Sequence, residues 1–137
     1  MDNILSLLGL AKKAGRLEAG EDAVGACAKA HGARLILLAS DAAENTARRA
    51  ARFSEEGACL CARIDASRDE LGRAVGRASC AVLALTDIGF ASAAAKKLAE
   101  RDAAKYGELA ERLSVKAARA AERKEAKKKT ARKPRGK

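Results

Sequence analysis

Apolar positions along this chain follow two spacings, one typical of helices and the other of buried strands. From Ile4 to Ala11 they recur at helical spacing, which predicts an amphipathic helix over residues 3–14. Residues 34–40 and 80–85 are instead almost unbroken apolar runs, and short runs of that kind predict strands buried on both faces. The chain therefore mixes helices with buried strands.

The rest of the first 100 residues repeats these two patterns in alternation. Short strands that alternate with helices of about ten residues are typical of an α/β sandwich, with helices on both faces of a small mixed or parallel sheet. We therefore predict a three-layer α/β/α sandwich. The other predicted elements are extended segments at residues 16–19 and 59–64, helices at residues 20–31 and 43–56, a helix capped within residues 65–67, and a last helix that ends near residue 100.

The segment that joins the fourth predicted helix to the last strand has an unusual composition. Gly76 is placed to end that helix in a left-handed conformation, and the loop Gly76-Arg77-Ala78-Ser79 follows with one cation and no bulky side chain. Such a loop lets the backbone of another molecule come close. Beyond the strand, Thr86 or Asp87 can cap the next helix through its side-chain oxygen.

Length and charge divide the chain into two parts. A chain of 137 residues is long enough for one buried core and too short for two. Residues 1–100 have a net charge of +1, whereas residues 101–137 have a net charge of +9. We therefore predict a nearly neutral globular domain at 1–100 and a basic C-terminal tail at 101–137.

The tail begins as a helix with two neighbouring stripes, one apolar and one basic. From about Ala126 onwards the composition becomes that of a basic, low-complexity arm, which is expected to be disordered alone. Mixed Lys and Arg at this density is the pattern expected of phosphate-backbone binding, although a tail that only solubilises or localises the protein has the same composition. The predicted RNA-binding stripe consists of Lys105, Arg112, Lys116, Arg119 and Arg123.

Other kinds of site find little support. Cys59, Cys61 and Cys80 lie in apolar segments and predict buried thiols in strands, and the single histidine, His31, supports neither a zinc pattern nor a catalytic set. No cofactor, metal, small-molecule substrate or enzymatic activity is therefore predicted. No apolar run is long enough to span a membrane and no signal-peptide pattern is present, so we expect a cytoplasmic protein.

Two further patterns have ordinary structural interpretations. Gly72 and Gly76 close a helix rather than open one after a strand, so their spacing indicates close packing and a cap, not a dinucleotide site. Arg48, Arg49 and Arg52 share one polar helix face, which is by default a solvated surface and less often a ligand contact.

Five segments in order give the chain a recognisable resemblance. It is similar to the kink-turn-binding ribosomal protein family, and within it to the bacterial YlxQ-like branch, over residues 3–100. The segments are LLGLA at residues 7–11, GED at 20–22, LILLASDAAENT at 35–46, LGRAVG at 71–76 and TDIGFA at 86–91.

The resemblance implies the same three-layer sandwich, binding to kinked RNA, and no enzymatic activity. In the family the RNA site has two parts, the start of the second helix with the pattern Gly-x-Asn-Glu-x-x-Lys and the loop before the last strand. Carried over, Gly20 matches the glycine, Asp22 stands for the asparagine, and Ala23 and Ala26 replace the glutamate and the lysine. The loop corresponds to Gly76, Arg77, Ala78 and Ser79.

The replacements change the charge expected at the site. Glu21 and Asp22 without the family lysine would repel phosphate, and Lys29, one turn after Ala26, compensates only partly. The resemblance therefore implies association with structured RNA, such as ribosomal RNA or the ribosome, more strongly than recognition of a kink-turn. The alternative is a protein-interaction module of the same fold whose basic tail serves localisation.

Overall fold

A computed structural model describes the backbone of residues 1–131 and the side chains of residues 1–126. The elements alternate as the apolar pattern predicts, and each predicted helix and strand of the first 100 residues is present. They are α1 (Asp2–Lys13), β1 (Leu17–Ala19), α2 (Glu21–Lys29), β2 (Leu35–Leu38), α3 (Glu44–Gly57), β3 (Leu60–Arg63), α4 (Arg68–Val75), β4 (Val82–Leu85), α5 (Ile88–Arg101) and α6 (Ala103–Ala131).

The strands form one mixed sheet in the order β1-β4-β2-β3. The strand β4 is antiparallel to both of its neighbours, with Leu85 opposite Leu17 on one side and Leu35 on the other. On its other side β2 pairs in parallel with β3, which lies at the edge of the sheet. The carboxyl ends of β1, β2 and β3 therefore lie at the same end of the sheet as the start of β4.

The sheet separates two apolar layers, which confirms the predicted three-layer sandwich. Leu83 and Leu85 of β4 pack into the core formed with α1, α4 and α5, and Val82 and Ala84 point into the smaller core of α2 and α3. Both inner strands are buried on both faces, which is why their sequences are continuous apolar runs rather than alternating ones.

Local side chains end and begin the helices where the sequence predicts. Ser67 and Glu70 form a reciprocal capping box at the start of α4. Gly76 ends that helix with φ of 76°, a conformation that a Cβ would strain. At α5 the predicted cap is Asp87, whose carboxylate accepts a hydrogen bond of 3.0 Å from the Phe90 amide.

The helices α2 and α3 run side by side in the same direction. A Cβ at Gly25 would lie 3.0 Å from the ring of Phe53, and a Cβ at Gly57 would lie 3.1 Å from the Ala28 carbonyl oxygen. The small residues at these contacts let the two helices approach closely. As a result both helices begin at the end of the sheet where β1 and β2 finish.

The last helix packs on the core and is more than an appended tail. Tyr106 is 6% exposed and Leu113 is fully buried, and both belong to the main apolar core. The Tyr106 hydroxyl also donates a hydrogen bond of 2.7 Å to the carbonyl oxygen of Arg63 at the end of β3. The fold of residues 1–100 without this helix stays a prediction, since α6 covers apolar surface of α5 and β3 in the complete chain.

The helix also continues further than the sequence predicts. It runs to Ala131, past the start of the expected irregular arm at Ala126. The rest of that arm, residues 132–137, lies outside the described residues. A run of Lys and Ala residues has high helix propensity, and this local preference explains the extension.

The cysteine prediction needs a correction. Cys59 and Cys80 are buried, but they lie just before β3 and β4 and not inside them, whereas Cys61 lies in β3 and is only partly buried. Because β3 lies at the edge of the sheet, its side chains, including that of Cys61, are only partly covered. Cys27 is also partly buried, and all four cysteines are free thiols.

Replacing Leu113 with Ala should destabilise the protein substantially. Removal of a fully buried leucine side chain costs about 2–5 kcal/mol of unfolding free energy, because packing is lost and a cavity is left. The matched control is Val115→Ala on the same helix, since Val115 is 46% exposed and should change stability by less than about 0.5 kcal/mol. Urea unfolding measures both, and equal values for the two variants would show that α6 does not support the core.

The thiols should react slowly in the native protein. Burial, followed by the neighbouring Cys59, raises the pKa of the Cys61 thiol to about 11. Only about one Cys61 in a thousand is then a thiolate at pH 8, so alkylation should be slow and should accelerate towards pH 11. Because the raised pKa belongs to the folded state, stability should fall as the pH rises from about 9 to 11. Alkylation of Cys61 at pH 8 as fast as in the unfolded chain would contradict this.

Candidate nucleic-acid interface

The antiparallel pairing of β1 with β4 brings two distant segments of the chain together. The Gly20 amide donates a hydrogen bond of 2.9 Å to the Val82 carbonyl oxygen, so the start of α2 lies beside the start of β4. The loop of residues 76–79 leads into that same strand. We call the end of the sheet where β1 and β2 finish and β4 starts the loop end.

Arg77 joins the loop directly to the start of α2. Its Nη1 donates a hydrogen bond of 3.1 Å to the carbonyl oxygen of Ala19, the last residue of β1. The guanidinium also lies against Gly20, where an added Cβ would be 3.4 Å from Nη2. Gly20 has φ of 96°, so this position favours glycine both for its backbone and for the space that Arg77 occupies. The two predicted halves of the site therefore form one surface.

Gly72 supports the loop from below. A Cβ at this position would lie 2.8 Å from the Arg77 carbonyl oxygen and 2.8 Å from the Ser79 amide nitrogen. The loop therefore folds back over α4 at Gly72, where the helix has no side chain in the way. The Arg77 amide donates a hydrogen bond of 2.7 Å to the Gly72 carbonyl oxygen. The side chains of Ala78 and Ser79 remain exposed above it.

The electrostatics of the surface are balanced rather than acidic. Arg49 of α3 donates a hydrogen bond of 3.1 Å from Nη1 to the Glu21 carboxylate, so one of the two acids at the start of α2 is paired. Asp22 is exposed in the same turn. With Arg77 on the other side, two cations flank two anions. The charges of the side chains at this surface therefore nearly cancel.

The remaining predicted site residues lie elsewhere. Lys29 is the last residue of α2, about 12 Å along the helix from Glu21, so the structure does not bring it to the loop. The cations of α6 are exposed, and only Lys105 lies near the loop end, where the helix starts beside Arg63 at the outer edge of the sheet. From there α6 runs towards the opposite end of the sheet. Those cations are Lys105, Arg112, Lys116, Arg119 and Arg123.

Sequence reasoning missed two contributors to this surface. The sequence predicts a solvated helix face for Arg49, because nothing in the linear sequence shows that α3 begins beside α2. Gly72 is a close-packing position, as its spacing predicts, and the atoms packed against it belong to Arg77 and Ser79 of the loop. The spacing of Gly72 and Gly76 was the available signal, since a helix that loses a side chain just before its cap leaves room for the chain to fold back.

Comparison with known proteins adds to this geometry. Residues 2–95 match the profile of the Ribosomal protein L7Ae/L30e/S12e/Gadd45 family. The chain belongs to this family. The match covers both halves of the joined surface and most of α5, and it ends before α6 begins. The resemblance inferred from the sequence is therefore confirmed.

Relatives of this L7Ae-family chain span most of the same region. It is 37% identical over 86 residues to the RNA-binding protein YlxQ of Bacillus subtilis (strain 168), covering 63% of this chain and 85% of that protein. A Bacillus halodurans protein of unknown function superposes with a TM-score of 0.64 at 30% identity, covering 69% of this chain and 95% of the other. The Giardia lamblia 15.5kD RNA binding protein shares the fold at 17% identity, with a TM-score of 0.56 and coverages of 72% and 84%.

Two other features were sought among the described residues, a cluster of metal ligands and a membrane-spanning helix. No three His, Cys, Asp or Glu side chains in that part come together as metal ligands. Across the described helices, none combines the length and apolar character needed to span a membrane.

Gly72→Ala should displace the loop of this L7Ae-family protein. The new methyl group would lie within 3 Å of three backbone atoms of the loop, and backbone atoms cannot move aside as the end of a flexible side chain can. We therefore expect a loss of about 1–3 kcal/mol in unfolding free energy and faster amide exchange at residues 77–79. Gly107→Ala is the control, because that helical glycine has nothing within 4 Å and alanine should stabilise it by up to about 1 kcal/mol. If both variants are equally stable with unchanged exchange, Gly72 does not hold the loop.

Proposed function

We propose that this protein binds structured RNA through the surface formed by the start of α2 and the loop of residues 76–79. The observation that carries the proposal is the contact of Arg77 with Ala19 and Gly20, which fixes the loop against the helix start. Family membership and the relative named as an RNA-binding protein support it. We propose no enzymatic activity for it, and we expect it to act in the cytoplasm.

The shape of the surface favours a structured RNA over a single strand. The exposed side chains of Ala78 and Ser79 are small, so a bulky group such as an unstacked base can approach the backbone of the loop. Amide groups at the start of α2 are available to a phosphate. These are shape-dependent contacts, and they fit an RNA that presents a bent or bulged region.

The RNA target is proposed to be ribosomal or otherwise structured RNA, with a kink-turn as one form of it. Ala23 and Ala26 remove two side chains that the kink-turn pattern contains. Arg49 returns a cation to the start of α2 from the neighbouring helix, although it is paired with Glu21. We therefore expect preference for a kinked over a linear RNA of equal length to be modest.

Ala78→Glu should weaken binding to structured RNA by at least tenfold, that is by about 1.4 kcal/mol or more. The new side chain blocks close approach, and its carboxylate repels phosphate in the place where contact is expected. Ala118→Glu on α6 is the control, since it introduces the same charge at another exposed alanine. Fluorescence anisotropy with a kinked and a linear RNA gives the affinities. Equal binding by both variants, with both folded, would remove the loop from the site and favour the protein-interaction alternative.

A further inference from the structure

A second basic surface lies at the opposite end of the sheet from the loop. There α6 passes over the segments that lead into β2 and β3 and over the turn between β4 and α5, leaving a groove of about 1170 Å³. We call this the α6 groove. The cations that line it are Arg34, Lys116, Arg119, Arg123 and Lys124.

The charges of α6 are segregated towards this groove. Its acids in the same stretch, Glu111, Glu122 and Glu125, are exposed and do not belong to the groove lining. Glu122 follows Leu113 by nine residues, so it lies on the face of the helix turned away from the core. The helix therefore presents cations to the groove and acids away from it.

The end of the sheet that lies beside the α6 groove contributes one further cation, Arg34. Arg34 precedes β2, and its amide donates a 2.7 Å hydrogen bond to the Leu85 carbonyl at the end of β4. Burial raises the pKa of the Cys59 thiol, and Lys116 and Arg34 both oppose that increase. Two cations from different elements thus act on one point in the groove. Asp87 is the acid in the lining, and its carboxylate is occupied in capping α5.

We propose that the α6 groove binds the phosphate backbone of a second RNA segment, separate from the one at the loop. This inference rests on the proposed function and adds a partner surface to it. Five cations against one engaged carboxylate match a polyanion, whereas the loop surface has balanced charge and supplies little electrostatic affinity.

The two surfaces are too far apart for a single contact point. Arg34 and Ala39 lie five residue steps apart along β2 and its flanks, which makes roughly 17 Å along the strand. An RNA held at the loop reaches the groove only if it extends past the sheet. Shape would then be recognised at the loop end, and most of the salt-dependent affinity would come from the groove end.

The test compares two pairs of substitutions with equal charge change in the full chain. The groove pair is Lys116→Gln with Lys124→Gln, and the control pair is Arg52→Gln with Lys96→Gln, all at exposed cations. Each protein is titrated with a minimal kinked RNA stem and with the same stem extended at either end by about ten nucleotides, enough to exceed the roughly 17 Å separation. The titrations are repeated across a salt series, and circular dichroism checks the fold.

The groove pair should lose about tenfold in affinity for an extended RNA at low salt and little for the minimal stem. The slope of log affinity on log salt should become shallower by about 1.4 for the extended RNA, because two phosphate contacts are lost. The control pair should change both RNAs slightly and equally.

Three other results would overturn the inference. If the groove pair matches the control pair on the extended RNA, the groove does not bind phosphate. If it weakens the minimal stem as much as the extended RNA, the two surfaces do not hold separate segments. If the unmodified protein binds neither RNA, the proposed function fails and the groove loses its partner, which is distinguishable from the first two results.

Discussion

The three-residue pairing of β1 with β4 is the contact on which the candidate site depends. Antiparallel pairing at this position requires the chain to leave β1 where it enters β4. The start of α2 and the loop before β4, which are far apart in sequence, are thereby brought together without a long connection. A parallel arrangement of the same two strands would place them at opposite ends of the sheet. The hydrogen bonds of this short ladder thus determine where the surface forms, and Arg77 adjusts its fine geometry.

Much of the fold follows from local sequence signals. Uninterrupted apolar runs identified the two inner strands, and Ser67, Gly76 and Asp87 marked helix boundaries through caps whose chemistry depends on a few neighbouring residues. These signals are reliable because the interactions are local. The alternation of elements then indicated the layers, since strands buried on both faces require helices on both sides.

Other features depend on tertiary packing and have no local signal. The pairing of Arg49 with Glu21 requires α3 to begin beside α2. The separation of Lys29 from the loop follows from the length of α2, and the share of Tyr106 and Leu113 in the core follows from the turn at Asp102 between α5 and α6. The apolar stripe of the C-terminal helix is visible in the sequence, but the surface on which that stripe packs is not, because the packing depends on the direction in which α6 leaves α5.

The parallel contact between α2 and α3 also limits how the length of the chain can vary. Glu21 meets Arg49 and Gly25 meets Phe53, so both pairs are separated by 28 residues. One residue inserted inside either helix would rotate everything after it by about 100° and move a large side chain into a position where only glycine fits. An insertion in the connection between β2 and α3 would leave the faces of both helices unchanged. Insertions and deletions should therefore be excluded from the two helices. The connection has constraints of its own, since the Ser40 amide donates a hydrogen bond to the Ala66 carbonyl oxygen and the Arg68 amide donates one to the Asp41 carboxylate.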